Sequence, residues 1–224
     1  MAIRIEPFDR DFSDTPAVRG VLHRPKGAAR DGIVLTHGAG SDRESPLLAA
    51  LADALAQAGK LALRCDLPYR QSRPRGGPSP SGAARDREGL RRAVEALRQI
   101  APGAMLLGGS SYGGRQASML AAEEPQLVDG LLLLSYPLHP PGKPERLRIE
   151  HFPDLALPVL FAHGSKDTFG TLEEMHREIA GIAGRTQLLA FERRPHGLVT
   201  KRDGDQAARE TATEIVAAAA SFFG

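Results

Sequence analysis

The chain contains no tryptophan and a single cysteine, Cys65, and only 5% of its 224 residues are aromatic. One cysteine excludes an internal disulfide, so no bridge constrains the redox compartment. The scarcity of aromatics argues against a stacking platform for single-stranded nucleic acid. An excess of charge of one sign is also missing: 29 basic residues stand against 27 acidic ones. That near balance gives no reason to expect nucleic acid or an anionic membrane as a partner. No apolar stretch approaches the ~20 residues of a membrane-spanning helix. Met1 to Pro7 lacks the apolar core of a secretion signal. These absences point to a cytoplasmic protein with a small-molecule partner, and they leave the oligomeric state open. No H-E-x-x-H, no paired C-x-x-C and no G-x-x-x-x-G-K-[ST] pattern occurs, so neither metal nor cofactor is expected. The stretch from Gly38 to Arg43 begins like a dinucleotide fingerprint, but Arg43 stands where the third glycine would be.

What is present is ordinary for a folded domain: 42% hydrophobic and 25% charged residues. The length suits one α/β domain spanning residues 1–224. Short apolar runs alternate with helical patterns. Ile3 to Phe8 and Ala17 to His23 read as a hairpin-like start. Ile33 to Thr36, Leu61 to Arg64, Met105 to Leu107, Gly130 to Ser135, Pro158 to His163 and Gln187 to Phe191 read as strands. Pro46 to Ala58, Ala83 to Ile100, Arg115 to Glu124, Thr171 to Ile182 and Gln206 to Phe222 read as helices, with Ser45 as the N-cap before Pro46. Such alternation implies a doubly wound, mostly parallel sheet. Leu67 to Gly82 and Tyr136 to Leu157 are proline-rich and read as rim loops.

The most informative stretch is Gly109-Ser110-Ser111-Tyr112-Gly113. It is a G-x-S-x-G pattern between an apolar strand and a helix, the context of a nucleophile elbow. The turn is tight, so positions two before and two after the serine must lack bulk. Only Ser111 fits, because Ser110 would put Tyr112 at one of those positions. A serine hydroxyl is a weak nucleophile and needs a general base. On this kind of sheet the chain order is serine, then acid, then histidine. Asp167, past the Pro158 strand, is the acid, and His196, past the Gln187 strand, is the base. His163 reads as a satisfied strand-end histidine and Cys65 as a buried apolar filler. The oxyanion of a tetrahedral intermediate needs donors, assigned to the backbone amides of Tyr112 and of Ala39 in His37-Gly38-Ala39-Gly40. His37 in that loop either contacts the substrate or, as such a histidine more often does, braces the loop by hydrogen bonds. Arg70 after the Leu61 strand is placed at the substrate, where it would bind a substrate carboxylate bidentately. Arg115, one turn past the elbow, either does likewise or, as the favoured reading, anchors its helix through an ion pair.

Taken in this order, the elbow, the H-G-A-G loop, the Asp167 loop and His196 resemble the α/β-hydrolase fold. The chain is similar in particular to a compact group of hydrolases related to dienelactone hydrolase. The segments Arg64 to Arg70, Tyr136 to Glu145 and Asp167 to Thr171 carry that resemblance. The resemblance runs from about Ile33 to the C-terminal helix. It implies a serine hydrolase with little or no cap, acting on a small carboxylic ester, thioester or lactone. Short acyl chains are expected to be preferred, with Tyr112 crowding the acyl side. Dienelactone hydrolase itself uses a cysteine where this chain has Ser111. Some members of the group are testis-expressed proteins or subunits of chromatin complexes, so the alternative is a non-catalytic interaction protein on the same fold.

Overall fold

A computed structural model describes residues 3–200 and 202–224, so Met1 and Ala2 of the segment examined for a secretion signal lie outside it. The eight strands are β1 (Arg4–Arg10), β2 (Val18–Arg24), β3 (Gly32–Thr36), β4 (Leu61–Cys65), β5 (Met105–Ser110), β6 (Gly130–Leu134), β7 (Val159–Gly164) and β8 (Thr186–Phe191). The helices are α1 (Pro46–Gln57), α2 (Pro68–Ser72), α3 (Ala83–Arg98), α4 (Tyr112–Glu123), α5 (Leu172–Ile179) and α6 (Gly204–Phe223). All strands join one sheet in the order β1-β2-β4-β3-β5-β6-β7-β8. From β4 to β8 every pairing is parallel; β1 and β2 form an antiparallel hairpin that extends the β4 edge. The sheet is therefore mostly parallel, as the alternation of elements implies.

The continuous apolar runs follow from burial on both faces. In β3, Ile33 and Leu35 pack with Leu51 and Leu55 of α1 and Ile215 of α6, whereas Val34 packs on the opposite face with Leu90 and Val94 of α3. Strand β6 repeats the split: Leu132 and Leu134 join the α1–α6 side, and Leu131 and Leu133 join the side of α3, α4 and α5. Successive strand side chains point to opposite faces, so each face receives its own core.

The order of β4, β3 and β5 places the site. The chain leaves β3 through α1 to reach β4 on one side, then returns through α3 to β5 on the other. The loops after β3 and β5 thus part at a topological switch point, where a crevice opens at the carboxyl ends of the strands.

Several expectations shift. Leu67 to Gly82 is not all loop: Pro68–Ser72 is helical and Pro80–Gly82 forms a 3-10 turn. Proline at the first helical position lends itself to such short helices, which periodicity cannot detect. Helix α4 starts at Tyr112 rather than Arg115, directly after the elbow serine. Ser45 precedes Pro46 but its hydroxyl makes no cap bond. In contrast, Thr171 caps α5 in a reciprocal box with Glu174.

Candidate active site

Ser111 sits at the end of β5 with φ 50° and ψ −116°, a sparsely populated conformation for a residue with a side chain. Its amide donates to Leu134 O at 2.8 Å, which holds the turn against β6. The two glycines are required by contact as well as by pattern. A Cβ on Gly109 would stand 2.8 Å from the backbone of Gly113 and Gly114, and one on Gly113 would stand 2.4 Å from His37 O. The elbow is thus closed too tightly for any larger residue at either position.

Three loops bring three side chains together. Ser111 Oγ lies 2.8 Å from His196 Nε2. On the other side of the ring, Nδ1 lies 2.7 and 2.9 Å from the two oxygens of Asp167. That carboxylate fixes the tautomer: Nδ1 carries the proton and donates, leaving the Nε2 lone pair to accept from Ser111. The Asp167 side chain is 0% exposed, and its Oδ1 also accepts from the Phe169 amide at 2.8 Å. The carboxylate at the start of α5 that accepts from the Thr171 amide is that of Glu174, so Asp167 is not used as a cap. Phe169 stacks on the His196 ring, with centroids 4.1 Å apart and planes 27° off parallel. Sequence reasoning missed Phe169, although it lies inside a segment that carries the family resemblance.

Tyr112 begins α4, so its amide is one of the donors that a helix leaves without an internal partner. The Ala39 amide has no backbone acceptor among the described residues. Both residues line the cleft beside Ser111.

His37 takes the role of a brace and not of a substrate contact, and Arg70 is placed otherwise than expected. His37 is buried: its Nδ1 donates to Gly38 O at 2.9 Å and its Nε2 accepts from the Leu67 amide at 3.1 Å. Burial lowers its pKa, in keeping with a neutral brace. Arg70 is also buried, and its guanidinium is spent on four carbonyls, those of Ser41, Ala39, Arg73 and Gly76, at 2.9 to 3.2 Å. It therefore does not extend to a substrate; it ties the Ala39 loop to the segment after α2. Tyr69 reinforces the same loop through its hydroxyl, which donates to Gly38 O and Ala39 O at 3.2 and 3.0 Å. A residue that follows a strand end can point into the site or away from it, and the sequence does not distinguish these.

Of the remaining candidates, His163 is fully buried and donates from Nε2 to Gly170 O at 2.8 Å. Cys65 is buried at the end of β4, and burial pushes its thiol up to about 12, which leaves no thiolate for chemistry. Among the described residues no three metal-ligating side chains gather, and no helix is long and apolar enough to cross a membrane.

Space is available at the hydroxyl. One cleft of about 490 Å³ runs from Ser111 along α4, walled by Tyr112, Pro80 and Pro137. A second, of about 370 Å³, lies on the His196 side, walled by Leu48, Gly197 and Val199. Ser111, Ala39 and Phe169 border both. Among the described residues no inserted helical cap covers either one; the segments 67–82 and 136–157 contribute wall residues, Pro80 and Pro137 among them.

Comparison with known proteins agrees with this architecture. Residues 29–224 match a family described as alpha/beta hydrolase domain, and the chain belongs to that family. Solved structures superpose over nearly the whole chain. A dienelactone hydrolase from Anabaena variabilis is 21% identical, covers 97% of this chain and 99% of its own, and has a TM-score of 0.73. An alpha-beta serine hydrolase homologue from Coxiella burnetii is 18% identical over 93% of this chain and 96% of its own, with a TM-score of 0.73. A lidless α/β serine hydrolase from Xanthomonas campestris is 15% identical over 97% and 94%, with a TM-score of 0.69. At these identities the likeness is one of fold.

Proposed function

We propose that this hydrolase is a serine esterase that cleaves a small carboxylic ester, thioester or lactone through an acyl-enzyme on Ser111. The observation that carries the proposal is the unbroken chain of hydrogen bonds from Asp167 through His196 to Ser111 Oγ. A scaffold protein has no need for that alignment, nor for open space at the hydroxyl, and both favour catalysis over the interaction-protein reading.

In the proposed reaction, His196 Nε2 takes the Ser111 proton as Oγ attacks the carbonyl carbon. Buried Asp167 orients the ring and stabilises the imidazolium. The amides of Ala39 and Tyr112 donate to the oxyanion of the tetrahedral intermediate. His196 then protonates the leaving oxygen or sulfur, and the acyl-enzyme is hydrolysed by water activated by the same base. Because His196 must reach the leaving atom, the leaving group occupies the cleft that His196 lines. The acyl group then lies in the other cleft, along α4. With no cap to bury a long chain, short acyl groups are favoured, since added methylenes gain little where no wall covers them. The cytoplasm is the location assigned, on composition alone.

The test is hydrolysis of 4-nitrophenyl esters of graded chain length. Turnover of short esters that falls by a factor on the order of 10³ in Ser111→Ala, with the fold retained, supports the proposal. No turnover of any ester, or turnover unchanged in Ser111→Ala, overturns it.

A further inference from the structure

The cleft along α4 has an excess of hydrogen-bond donors. Arg115, Arg148 and Gln116 all line it together with Ser111. Arg115 does not anchor its helix through an ion pair: among the described residues no carboxylate lies within the 4.0 Å of an ion pair from either Arg115 or Arg148. Nor does either guanidinium donate to a carbonyl, in contrast to Arg70. The Nε of Arg115 is sealed from solvent without an acceptor, as is the Nε2 of Gln116. The Gln116 amide cannot resolve this by turning over, because its oxygen already accepts from Arg87 at 3.1 Å. Buried donors without acceptors are rare in folded proteins, and these two belong to side chains that also line the cleft.

The cations are also held in position. Arg115 lies one helical turn beyond the nucleophile, its amide bonded to Ser111 O at 2.9 Å. Arg148 is pinned through its backbone: Tyr136 donates its hydroxyl to Arg148 O at 2.6 Å, and the Arg148 amide donates to Leu138 O at 2.8 Å. Tyr136 is wholly buried, so this anchor is rigid. The two guanidiniums repel one another and share a partly desolvated wall, which lowers the Arg148 pKa through burial first and Arg115 second. Glu150 is the carboxylate that acts most on this group, and it is exposed and outside pairing distance. Two desolvated like charges in one cleft are costly unless an anion joins them.

We infer that the substrate's acyl group carries a free carboxylate, bound by Arg115 and Arg148 in the α4 cleft. The planar fork of each guanidinium matches a carboxylate bidentately. The substrate class is a monoester, monothioester or lactone of a dicarboxylic acid. Water adds across the acyl–oxygen or acyl–sulfur bond: a monoester or monothioester gives the free dicarboxylate and an alcohol or thiol, and a lactone opens to a single hydroxy-dicarboxylate. This inference rests on the acyl-enzyme reading of Ser111 and specifies its substrate.

The experiment compares mono-4-nitrophenyl glutarate with 4-nitrophenyl pentanoate, which has a similar length and no charge. In the native enzyme kcat/KM is expected to favour the glutarate monoester by roughly tenfold or more, the contribution of one charge-assisted pair. Arg115→Gln and Arg148→Gln each bring the ratio of the two toward parity, chiefly through KM of the anionic ester. The two residues stand on different elements, so a failure of one variant to fold leaves the other to decide. A native enzyme that hydrolyses the pentanoate through Ser111 without preferring the glutarate overturns the anion site and leaves the esterase reading intact. A preference that survives both substitutions overturns the assignment of these two residues. Turnover of neither ester, or turnover of both that is unchanged in Ser111→Ala, overturns both readings together.

Discussion

The hydroxyl of Tyr112 donates to Asp86 at 2.8 Å, and this bond ties the residue after the nucleophile to helix α3. The other oxygen of Asp86 accepts from the Tyr69 amide at 3.0 Å. Tyr69 in turn supports the Ala39 loop. One buried carboxylate therefore links both proposed oxyanion donors to the α3 face. Tyr112, expected to crowd the acyl side, is held to the wall of the cleft instead of filling it.

Removing that link is expected to cost both stability and rate. Asp86→Ala leaves the Tyr69 amide and the Tyr112 hydroxyl without their acceptor, at roughly 2–4 kcal/mol for two buried donors. Tyr112→Phe removes one bond and is expected to cost about 1 kcal/mol. Denaturant midpoints check the stabilities. A fall in kcat at constant KM checks whether the donors are held for the transition state. An Asp86→Ala protein as stable and as active as the native one would show that the link is idle.

Arg70 is expected to behave as a brace and not as a substrate ligand. Arg70→Met deprives four carbonyls of their donors, a loss of roughly 2–3 kcal/mol. For a chain of this size that lowers Tm by roughly 4–12 °C. The ratio of anionic to neutral ester hydrolysis is expected to stay as it is, in contrast to Arg115→Gln. A selective rise in KM for the anionic ester, with Tm unchanged, would return Arg70 to the substrate.

The two histidines near Asp167 are expected to separate cleanly. His196→Ala removes the base and lowers kcat/KM by a factor on the order of 10³ or more. His163→Ala leaves Gly170 O without its donor and is expected to act mainly on stability. The reverse pattern, with activity lost in His163→Ala alone, would reassign the base.

Acid is expected to weaken the fold before the carboxylates titrate. Burial lowers the pKa of His23, His37 and His163, and that of His151 to about 4, against an ordinary value of 6.5. Below 6.5 the unfolded chain takes up protons that the folded chain refuses, so stability falls as pH drops from 6.5 toward 4. Asp86, whose carboxyl burial raises, acts in the opposite sense, but it is one group against four. Thermal unfolding across this range checks the slope, and His151→Gln is expected to flatten part of it. A Tm that is constant or rises between pH 6.5 and 4 would contradict the buried neutral state of these rings.

Much of this was legible in the residues themselves. The doubly wound order follows from apolar runs that are buried on both faces, as Ile33 and Val34 illustrate by packing into different cores. The Ser111 register followed from sterics, because Gly109 and Gly113 sit where a Cβ would collide with backbone. Which way a loop side chain points was not legible. Arg70 and Arg115 look alike as arginines near a strand end and a helix start, yet one is consumed by carbonyls and the other faces the cleft. Asp86 carried a usable signal: it lies four residues before Leu90 and eight before Val94, on the buried stripe of α3, and a carboxylate there needs partners. Phe169 carried none beyond its segment, since stacking on His196 depends on two loops meeting in space.

The central claim is that Ser111 is an activated nucleophile, and reaction with a fluorophosphonate followed by peptide mass mapping tests it most directly. The account predicts one covalent adduct per chain, located on Ser111, lost in Ser111→Ala and slowed in His196→Ala. An unlabelled native protein, or an adduct on Ser110 or another serine while Ser111 stays free, would contradict it.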